Sequence, residues 1–201
     1  MPYSNFTLKK VKEEFKLEVV ENRDLFSDIE EVEVSDYLKT TLNYNVPLAL
    51  AISTEKARSE LIISNVLLEL KKRLNDVISL FSGINLDIDK DRDLNGFCDY
   101  IISKSSEQFY ISSPIVVIVE AKNEQLTAGL GQCIAEMIAS VIFNEREGNI
   151  IDITYGAVTT GNTWKFLKYE HNTAYIDKPE YHIATINKIM GILVKMVLQE
   201  A

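Results

Sequence analysis

The sequence predicts an α/β fold in which helices flank a mixed β-sheet. Apolar residues recur at helical spacing in three segments, at about 54–75, 127–143 and 182–199. Short runs rich in β-branched residues predict strands between these helices, at about 84–88, 97–102, 115–121, 151–159 and 164–169. The order helix, three strands, helix, two strands, helix is typical of a sheet covered by helices.

The first part of the chain carries weaker patterns. Thr7 predicts the N-cap of a short helix through Phe15. The acidic stretch Asp24–Glu33 predicts a surface loop, and a second short helix is expected over Val34–Leu42 with a cap near Ser35. These elements precede the regular helical spacing that begins near Thr54, so we expect them to be additions to a core that begins later.

The core elements follow in order. Thr54 predicts the cap of the long first helix, and the turn formers Asn95-Gly96 precede the second strand. The first three strands are expected to form an antiparallel meander, with the third strand buried after Pro114. The last two strands are separated by a turn at Thr160-Gly161-Asn162, which predicts a hairpin.

Length and composition describe an ordinary globular chain of 201 residues with 46% hydrophobic and 25% charged residues. We interpret it as a single domain, with residues 1–50 as an N-terminal extension packed on the core and residues 51–201 as the domain proper. The N-terminus lacks the apolar segment of a secretory signal and no stretch is long enough to span a bilayer. A cytoplasmic protein without membrane contact is therefore expected.

The charge limits the classes of partner. The formal net charge is -9, which argues against a protein that coats nucleic acid through a generally basic surface. Binding to nucleic acid would need metal ions or a local basic rim, for which the candidates are Lys56, Arg58, Lys71-Lys72-Arg73, Lys165 and Lys168. A solvated helix face is an equal alternative for these residues. The two cysteines form neither a disulfide framework nor a zinc pattern.

The most informative motif is Glu120-Ala121-Lys122, which directly follows the apolar run Ile115–Val119. Burying a carboxylate and an ammonium at the end of a strand is costly unless they have partners or a function. Alternation along the strand places Glu120 and Lys122 on one face and Ala121 on the other. An acid that can hold a divalent cation beside a lysine suits the hydrolysis of a phosphodiester.

A second acid lies on the preceding strand. If the two strands are hairpin neighbours, Asp99 approaches Glu120 across the ladder. Two carboxylates, together with the carbonyl oxygen of Ala121, match the oxygen ligands that Mg²⁺ (or Mn²⁺) prefers. Lys122 would then lie beside the metal-activated water.

Two further polar residues are candidates for supporting roles. Glu60 on the first long helix is expected to face roughly the same way as Ile63 and Leu67, where an acid needs a salt bridge or a metal nearby. Gln132 on the next helix would hydrogen-bond the activated water or steer Lys122.

The order Glu60, Asp99, Glu120-Ala121-Lys122 and Gln132 resembles that of the PD-(D/E)XK nuclease superfamily, over about Thr54–Tyr169. The resemblance implies a restriction-endonuclease-like core and Mg²⁺-dependent cleavage of DNA. It also implies Asp99, Glu120 and Ala121 as metal ligands, Lys122 as the catalytic lysine, and Glu60 and Gln132 as supporting residues. The proline that names the family's first motif is absent, and Cys98 precedes Asp99.

Other interpretations remain open at this point. A catalytically silent module that keeps the nuclease fold and binds a partner would suit the negative charge, as a homodimer or within a larger assembly. The acidic stretch Asp87–Gly96 resembles part of an EF-hand loop from Asp91 onward, but its twelfth position is Ile102 instead of a bidentate glutamate. That stretch is therefore expected to be a solvated turn.

Overall fold

The computed structural model describes residues 3–75 and 77–199. Its strands are β1 (Glu18–Arg23), β2 (Ser79–Asn85), β3 (Phe97–Ser103), β4 (Ile115–Ala121), β5 (Ile153–Thr159), β6 (Thr163–Glu170), β7 (Thr173–Asp177) and β8 (Tyr181–His182). Its helices are α1 (Leu8–Phe15), α2 (Asp36–Ile52), α3 (Glu55–Arg58), α4 (Ser64–Arg73), α5 (Thr127–Arg146) and α6 (Ile186–Leu198). A π-helical turn, Ser59–Ile63, joins α3 to α4, and short 3-10 turns lie at Tyr3–Asn5 and Ile183–Thr185.

All described strands belong to one open sheet in the order β1-β7-β6-β5-β4-β3-β2, with β8 beside β6. The pairs β1–β7 and β4–β5 are parallel, and the other neighbours are antiparallel. The predicted α/β class with a mixed sheet between helices is therefore confirmed. The predicted meander β2-β3-β4 and hairpin β5-β6 are also present.

The sheet separates two apolar layers. On one face it packs against α2, α4 and α6, and on the other against α1 and α5. Every residue of β4 is buried, because β4 lies inside the sheet and is covered from both sides. The end of β4 is thus a place where the fold brings both layers and two neighbouring strands together.

Several element boundaries differ from the prediction. The helix expected over Val34–Leu42 is capped by Ser35 but runs to Ile52, with Pro47 inside it. The first strand of the meander lies at Ser79–Asn85, earlier than expected, and Leu86 pairs onward with Gly96 through a backbone hydrogen bond of 2.8 Å. The final helix begins after a 3-10 turn that His182 caps through a side-chain hydrogen bond.

The N-terminal segment contributes to the same sheet and the same layers. Thr7 caps α1 as predicted, and Val11 and Phe15 are buried against the sheet. Strand β1, which the sequence pattern did not predict, adds to the sheet edge in parallel with β7. Among the described residues, no helix combines the length and the apolar character that crossing a bilayer requires.

Candidate active site

The motif Glu120-Ala121-Lys122 lies where β4 emerges from the core. Alternation along the strand points Glu120 and Lys122 toward α5, while Ala121 packs in the opposite layer, as predicted. The side chain of Glu120 is 1% exposed, and the Nζ of Lys122 contacts its Oε1. The acid is therefore held inside the protein by a close ion pair.

Asp99 reaches the same strand end from β3. The register pairs Tyr100 with Val119, so that Asp99 lies one step further along the ladder, opposite Glu120. The Oδ2 of Asp99 accepts a hydrogen bond of 2.8 Å from the backbone N–H of Ala121. Asp99 is thus fixed to the residue between Glu120 and Lys122, as the hairpin hypothesis requires.

An open cavity of about 460 Å³ lies beside this strand end. Its lining is mostly polar and includes Asp99, Ala121 and Glu60. The prediction that Glu60 faces the same way as Ile63 and Leu67 was wrong, because its side chain is 64% exposed while both apolar residues are fully buried. Glu60 lies in the π-helical turn, which winds more residues into a turn than an α-helix does and so shifts the phase of the helix face.

Glu60 lies at the rim of this cavity, where Lys56 is 3.7 Å from its Oε1. Deeper in the cavity, the hydroxyls of Ser59 and Tyr100 are 2.6 Å apart and tie the π-helical turn to β3. π-Helical turns occur frequently at functional sites. The structure therefore brings Glu60 into the same cavity as Asp99, on the side away from Lys122 and Gln132.

Helix α5 supplies Gln132 and a residue that the sequence reasoning missed. The Oε1 of Gln132 accepts a hydrogen bond of 3.3 Å from Lys122, and its Nε2 donates one of 3.1 Å to the Oε1 of Glu136. Glu136 is fully buried within the continuous buried run Cys133–Ser140 of α5. The signal in the sequence that could have identified Glu136 is a single charged residue among the apolar residues Cys133–Ala139.

The site carries an excess of negative charge. Burial raises the pKa of Glu120, the charges of Glu136 and Asp99 raise it further, and Lys122 opposes them. Burial likewise raises the pKa of Glu136 to about 8, although the hydrogen bond from Gln132 lowers it. Burial lowers the pKa of Lys122, but the carboxylates of Glu120, Glu55 and Asp99 together outweigh burial, and the net direction is upward. All three shifts favour the protonated forms of these groups.

Other basic residues offer little to a nucleic acid. Arg58 donates to the Oδ1 of Asn123 at 3.2 Å and to the carbonyl of Thr160 at 3.1 Å, so it clamps α3 to the strand ends. Lys165 donates to a backbone carbonyl and Lys168 pairs with a glutamate. The predicted basic rim is thus largely engaged with the protein itself, and of its residues Lys56 lines the cavity.

The fit of the site to a divalent cation rests on its oxygen atoms. Within residues 3–75 and 77–199, no group of three or more histidine, cysteine, aspartate or glutamate side chains is arranged to hold a metal ion. The Oε2 of Glu120, however, is buried without a hydrogen-bond partner in the described protein. Two carboxylates and one carbonyl suit Mg²⁺, which keeps several waters and commonly uses one or two carboxylates with substrate phosphate. The residues present therefore fit such an ion.

The acidic loop before β3 has a structural role. The Oδ1 of Asp89 accepts hydrogen bonds from the loop amides of Asp91 and Arg92, and Asp93 pairs with Lys10 at 3.0 Å. Gly96, with a φ of 131°, accommodates the turn into β3. These contacts agree with the expectation of a solvated turn.

Comparison with known proteins finds no matching family model, no similar curated protein and no similar solved structure. The interpretation of the site therefore depends on its own geometry and chemistry.

Proposed function

We propose that this chain is a Mg²⁺-dependent phosphodiesterase that cleaves DNA and is built on a restriction-endonuclease-like core. One observation carries the proposal: Asp99, Glu120 and Lys122 converge at the end of β4, where Asp99 also lines an open polar cavity. Convergence at a strand end is what a shared ion and a shared substrate phosphate would need.

The arrangement of elements supports the same proposal. A helix precedes the meander β2-β3-β4, the helix α5 follows it, and β5 returns parallel to β4. Along these elements, Glu60, Asp99, Glu120, Lys122 and Gln132 appear in the order that resembles the PD-(D/E)XK pattern. The local geometry therefore agrees with the resemblance in the sequence.

In the proposed reaction each side chain has a distinct task. Asp99, Glu120 and the carbonyl of Ala121 would hold the metal ion, and Mg²⁺ (or Mn²⁺) supplies neutralisation of phosphate charge and acidification of water when bound. Lys122 donates hydrogen bonds to the attacking water and to the phosphate oxygens as negative charge builds. Gln132 holds the Lys122 ammonium from the α5 side, and Glu60 lies at the cavity rim where a supporting contact to the substrate is accessible.

The test is cleavage of supercoiled plasmid and of single-stranded DNA with Mg²⁺ or Mn²⁺. The wild-type protein should cleave with metal and lose that activity in EDTA. The variants Asp99→Ala, Glu120→Ala and Lys122→Ala should fold and be inactive. Lys168→Ala should cleave like the wild type, because Lys168 does not line the cavity and pairs with Glu170. Equal cleavage by the wild type and Glu120→Ala would show that the activity belongs to a contaminant or to another site.

A specific observation also favours the second candidate, a silent nuclease-fold module. The Lys122 ammonium already neutralises one oxygen of Glu120, and no group of three or more metal-ligating side chains exists among the described residues. A net charge of -9 would further oppose DNA binding. This candidate predicts a protein partner or a homodimer, and no metal-dependent turnover of any nucleic acid.

A further inference from the structure

Helix α5 places a continuous chain of polar contacts behind Lys122. Gln132 and Glu136 are four residues apart, so they lie on one face of the helix. The contacts run from the Nζ of Lys122 to the Oε1 of Gln132, and from the Nε2 of Gln132 to the Oε1 of Glu136. The chain thus starts at the lysine of the candidate site and ends in the core.

Packing alone gives no reason for the carboxyl group of Glu136. The residue is fully buried, and its Oε2 has no hydrogen-bond partner within the described protein. Burying an acid with an unsatisfied oxygen costs free energy, and an apolar side chain of similar volume would avoid that cost. The neighbouring positions Ala135 and Met137 are apolar, as expected of this layer.

The hydrogen bond to Glu136 determines which way round the Gln132 amide lies. A carboxylate oxygen accepts hydrogen bonds, so it selects the orientation in which Nε2 faces Glu136. The same orientation turns the Oε1 of Gln132 toward Lys122. With the amide reversed, its NH₂ group would face the lysine ammonium, donor against donor, and the contact from its Nε2 to Glu136 would be lost.

The remainder of Lys122 is held by close packing. A Cβ atom at Gly129 would lie 3.1 Å from both the Cγ and the Cε of Lys122, so the aliphatic stem passes directly over the helix backbone. Packing fixes the stem, and Glu120 and Gln132 fix the ammonium. The direction of the Lys122 ammonium therefore depends on the orientation of the Gln132 amide.

We propose that Glu136 is a positioning residue, which orients the Lys122 ammonium through the amide of Gln132. The effect of Glu136 on catalysis rests on the proposed nuclease function, whereas its effect on the position of the Lys122 ammonium does not. Glu136 touches neither the cavity nor any reacting atom. It acts by keeping the hydrogen-bond acceptor of Gln132 aimed at the lysine.

The test compares Glu136→Leu, which removes the acceptor, with Glu136→Gln, which keeps one. Asn144→Leu is the matched control, because Asn144 is another buried polar residue of α5 whose hydrogen bonds go to the backbone of Ile115. Supporting contacts of this kind are worth about 10- to 100-fold in activity. Glu136→Leu should therefore lose about that factor in kcat with KM nearly unchanged, while Glu136→Gln and Asn144→Leu should keep kcat within about threefold per folded molecule.

A second readout needs no activity. Brief acetylation with acetic anhydride, followed by mass spectrometry, measures the reactivity of Lys122 relative to Lys56, whose side chain is 83% exposed. Reactivity of Lys122 should rise severalfold in Glu136→Leu and in Gln132→Leu, and stay at the wild-type level in Glu136→Gln and Asn144→Leu. Gln132 is half-buried, and Gln132→Leu shows whether the amide itself positions the lysine. If Glu136→Leu fails to fold, Glu136→Met, an unbranched apolar side chain, removes the acceptor in its place.

Each outcome decides the question. Unchanged Lys122 reactivity in Glu136→Leu and Gln132→Leu overturns the inference, as does equal loss in Glu136→Leu and Asn144→Leu, which would mean a merely structural role. If the wild-type protein cleaves no DNA, the proposed function fails, and the acetylation rates alone then decide whether Glu136 positions the lysine.

Discussion

The ammonium of Lys122 lies against one carboxylate oxygen of Glu120 and leaves the other oxygen of Glu120 buried, with no hydrogen-bond partner among the residues that the structure describes. An ion pair of this kind does not satisfy the carboxylate fully, because an ionised carboxylate accepts hydrogen bonds at both oxygens. The pair therefore both stabilises the strand end and keeps a free oxygen ligand at it.

Replacing Lys122 with methionine should destabilise the fold. Removing one partner of a buried pair leaves an uncompensated charge, at a cost of about 3 kcal/mol or more. Without Lys122 the pKa of Glu120 rises further above its unfolded value, so the folded state holds a proton that the unfolded state releases. Both proteins should lose stability as pH rises above about 4.5, and the variant should continue to lose it above the pKa that Glu120 has in the wild-type fold. The deficit of the variant should therefore be larger at pH 8 than at pH 5, which urea unfolding at the two pH values measures.

Two further variants control this experiment. Lys56→Met removes an exposed lysine whose partner Glu60 is also exposed, and should leave stability unchanged. Adding Glu120→Gln to Lys122→Met removes the stranded charge and should recover much of the loss. A Lys122→Met protein as stable as the wild type at pH 8 would show that the contact between Lys122 and Glu120 contributes nothing to stability.

Divalent metal should stabilise the protein through Asp99 and Glu120. A ligand at 100 times its Kd adds about 2.7 kcal/mol to the free energy of unfolding, which corresponds to a rise in Tm of roughly 5–10 °C for a chain of this size. Thermal unfolding with and without Mg²⁺ or Mn²⁺ measures this shift.

The shift should vanish in Asp99→Asn and in Glu120→Gln, because both replacements remove an anionic ligand. Asp91→Asn is the control for ions held by the acidic loop before β3, and should retain the full shift. A rise in Tm that survives both site variants and disappears in Asp91→Asn would show that the metal binds in that loop.

The sequence predicted those elements whose pattern is local. The β-branched run of β4, the hairpin turns and the apolar stripes of α5 and α6 each carry their signal within a few residues. No residue of strand β1 is fully buried, and the strand pairs with β7, about 150 residues away in the chain, so no local alternation predicts it. Strand β7 is short, and the period of alternation is hard to recognise over five residues.

The candidate site likewise contains residues that local patterns predicted and residues that they did not. Alternation along β4 and the hairpin with β3 were sufficient to predict that Asp99, Glu120 and Lys122 converge. The direction of Glu60 was mispredicted because the π-helical turn changes the helix phase, which a sequence period of 3.6 does not contain. Glu136 was missed because periodicity identifies an apolar face but does not say that an acid on that face is tied to a glutamine one turn away.

Gly129→Ala should disturb the lysine more than the fold. The new Cβ would lie 2.7 Å from the Cγ1 of Val158 and 3.1 Å from the Lys122 stem, so one of them must move. Overpacking costs about 1–3 kcal/mol, and the better helix propensity of alanine offsets about 1 kcal/mol of it. We expect a small loss of stability in urea unfolding, but at least about a tenfold loss of cleavage, as displaced catalytic groups commonly show.

Ala128→Ser, at an exposed neighbouring position of α5, should change neither quantity. If Gly129→Ala cleaves DNA at the wild-type rate, the position of the Lys122 stem does not limit the reaction.

Glu136 should make the protein less stable as pH rises. Burial raises its pKa in the fold to about 8, against about 4.3 in the unfolded chain, so between these values the folded state keeps a proton that the unfolded state has lost. The free energy of unfolding must then decrease with pH across this window, by up to about 1.4 kcal/mol per pH unit, and level off above pH 8.

Glu136→Gln carries no such proton and should lack this contribution. Urea unfolding of both proteins at pH 5, 6, 7, 8 and 9 gives the difference directly, because groups that titrate equally in the two proteins cancel. The curves should converge toward low pH and separate toward pH 8, with the variant the more stable; parallel curves would mean that Glu136 is ionised in the fold at all of these pH values, with Lys122 and Gln132 stabilising its charge.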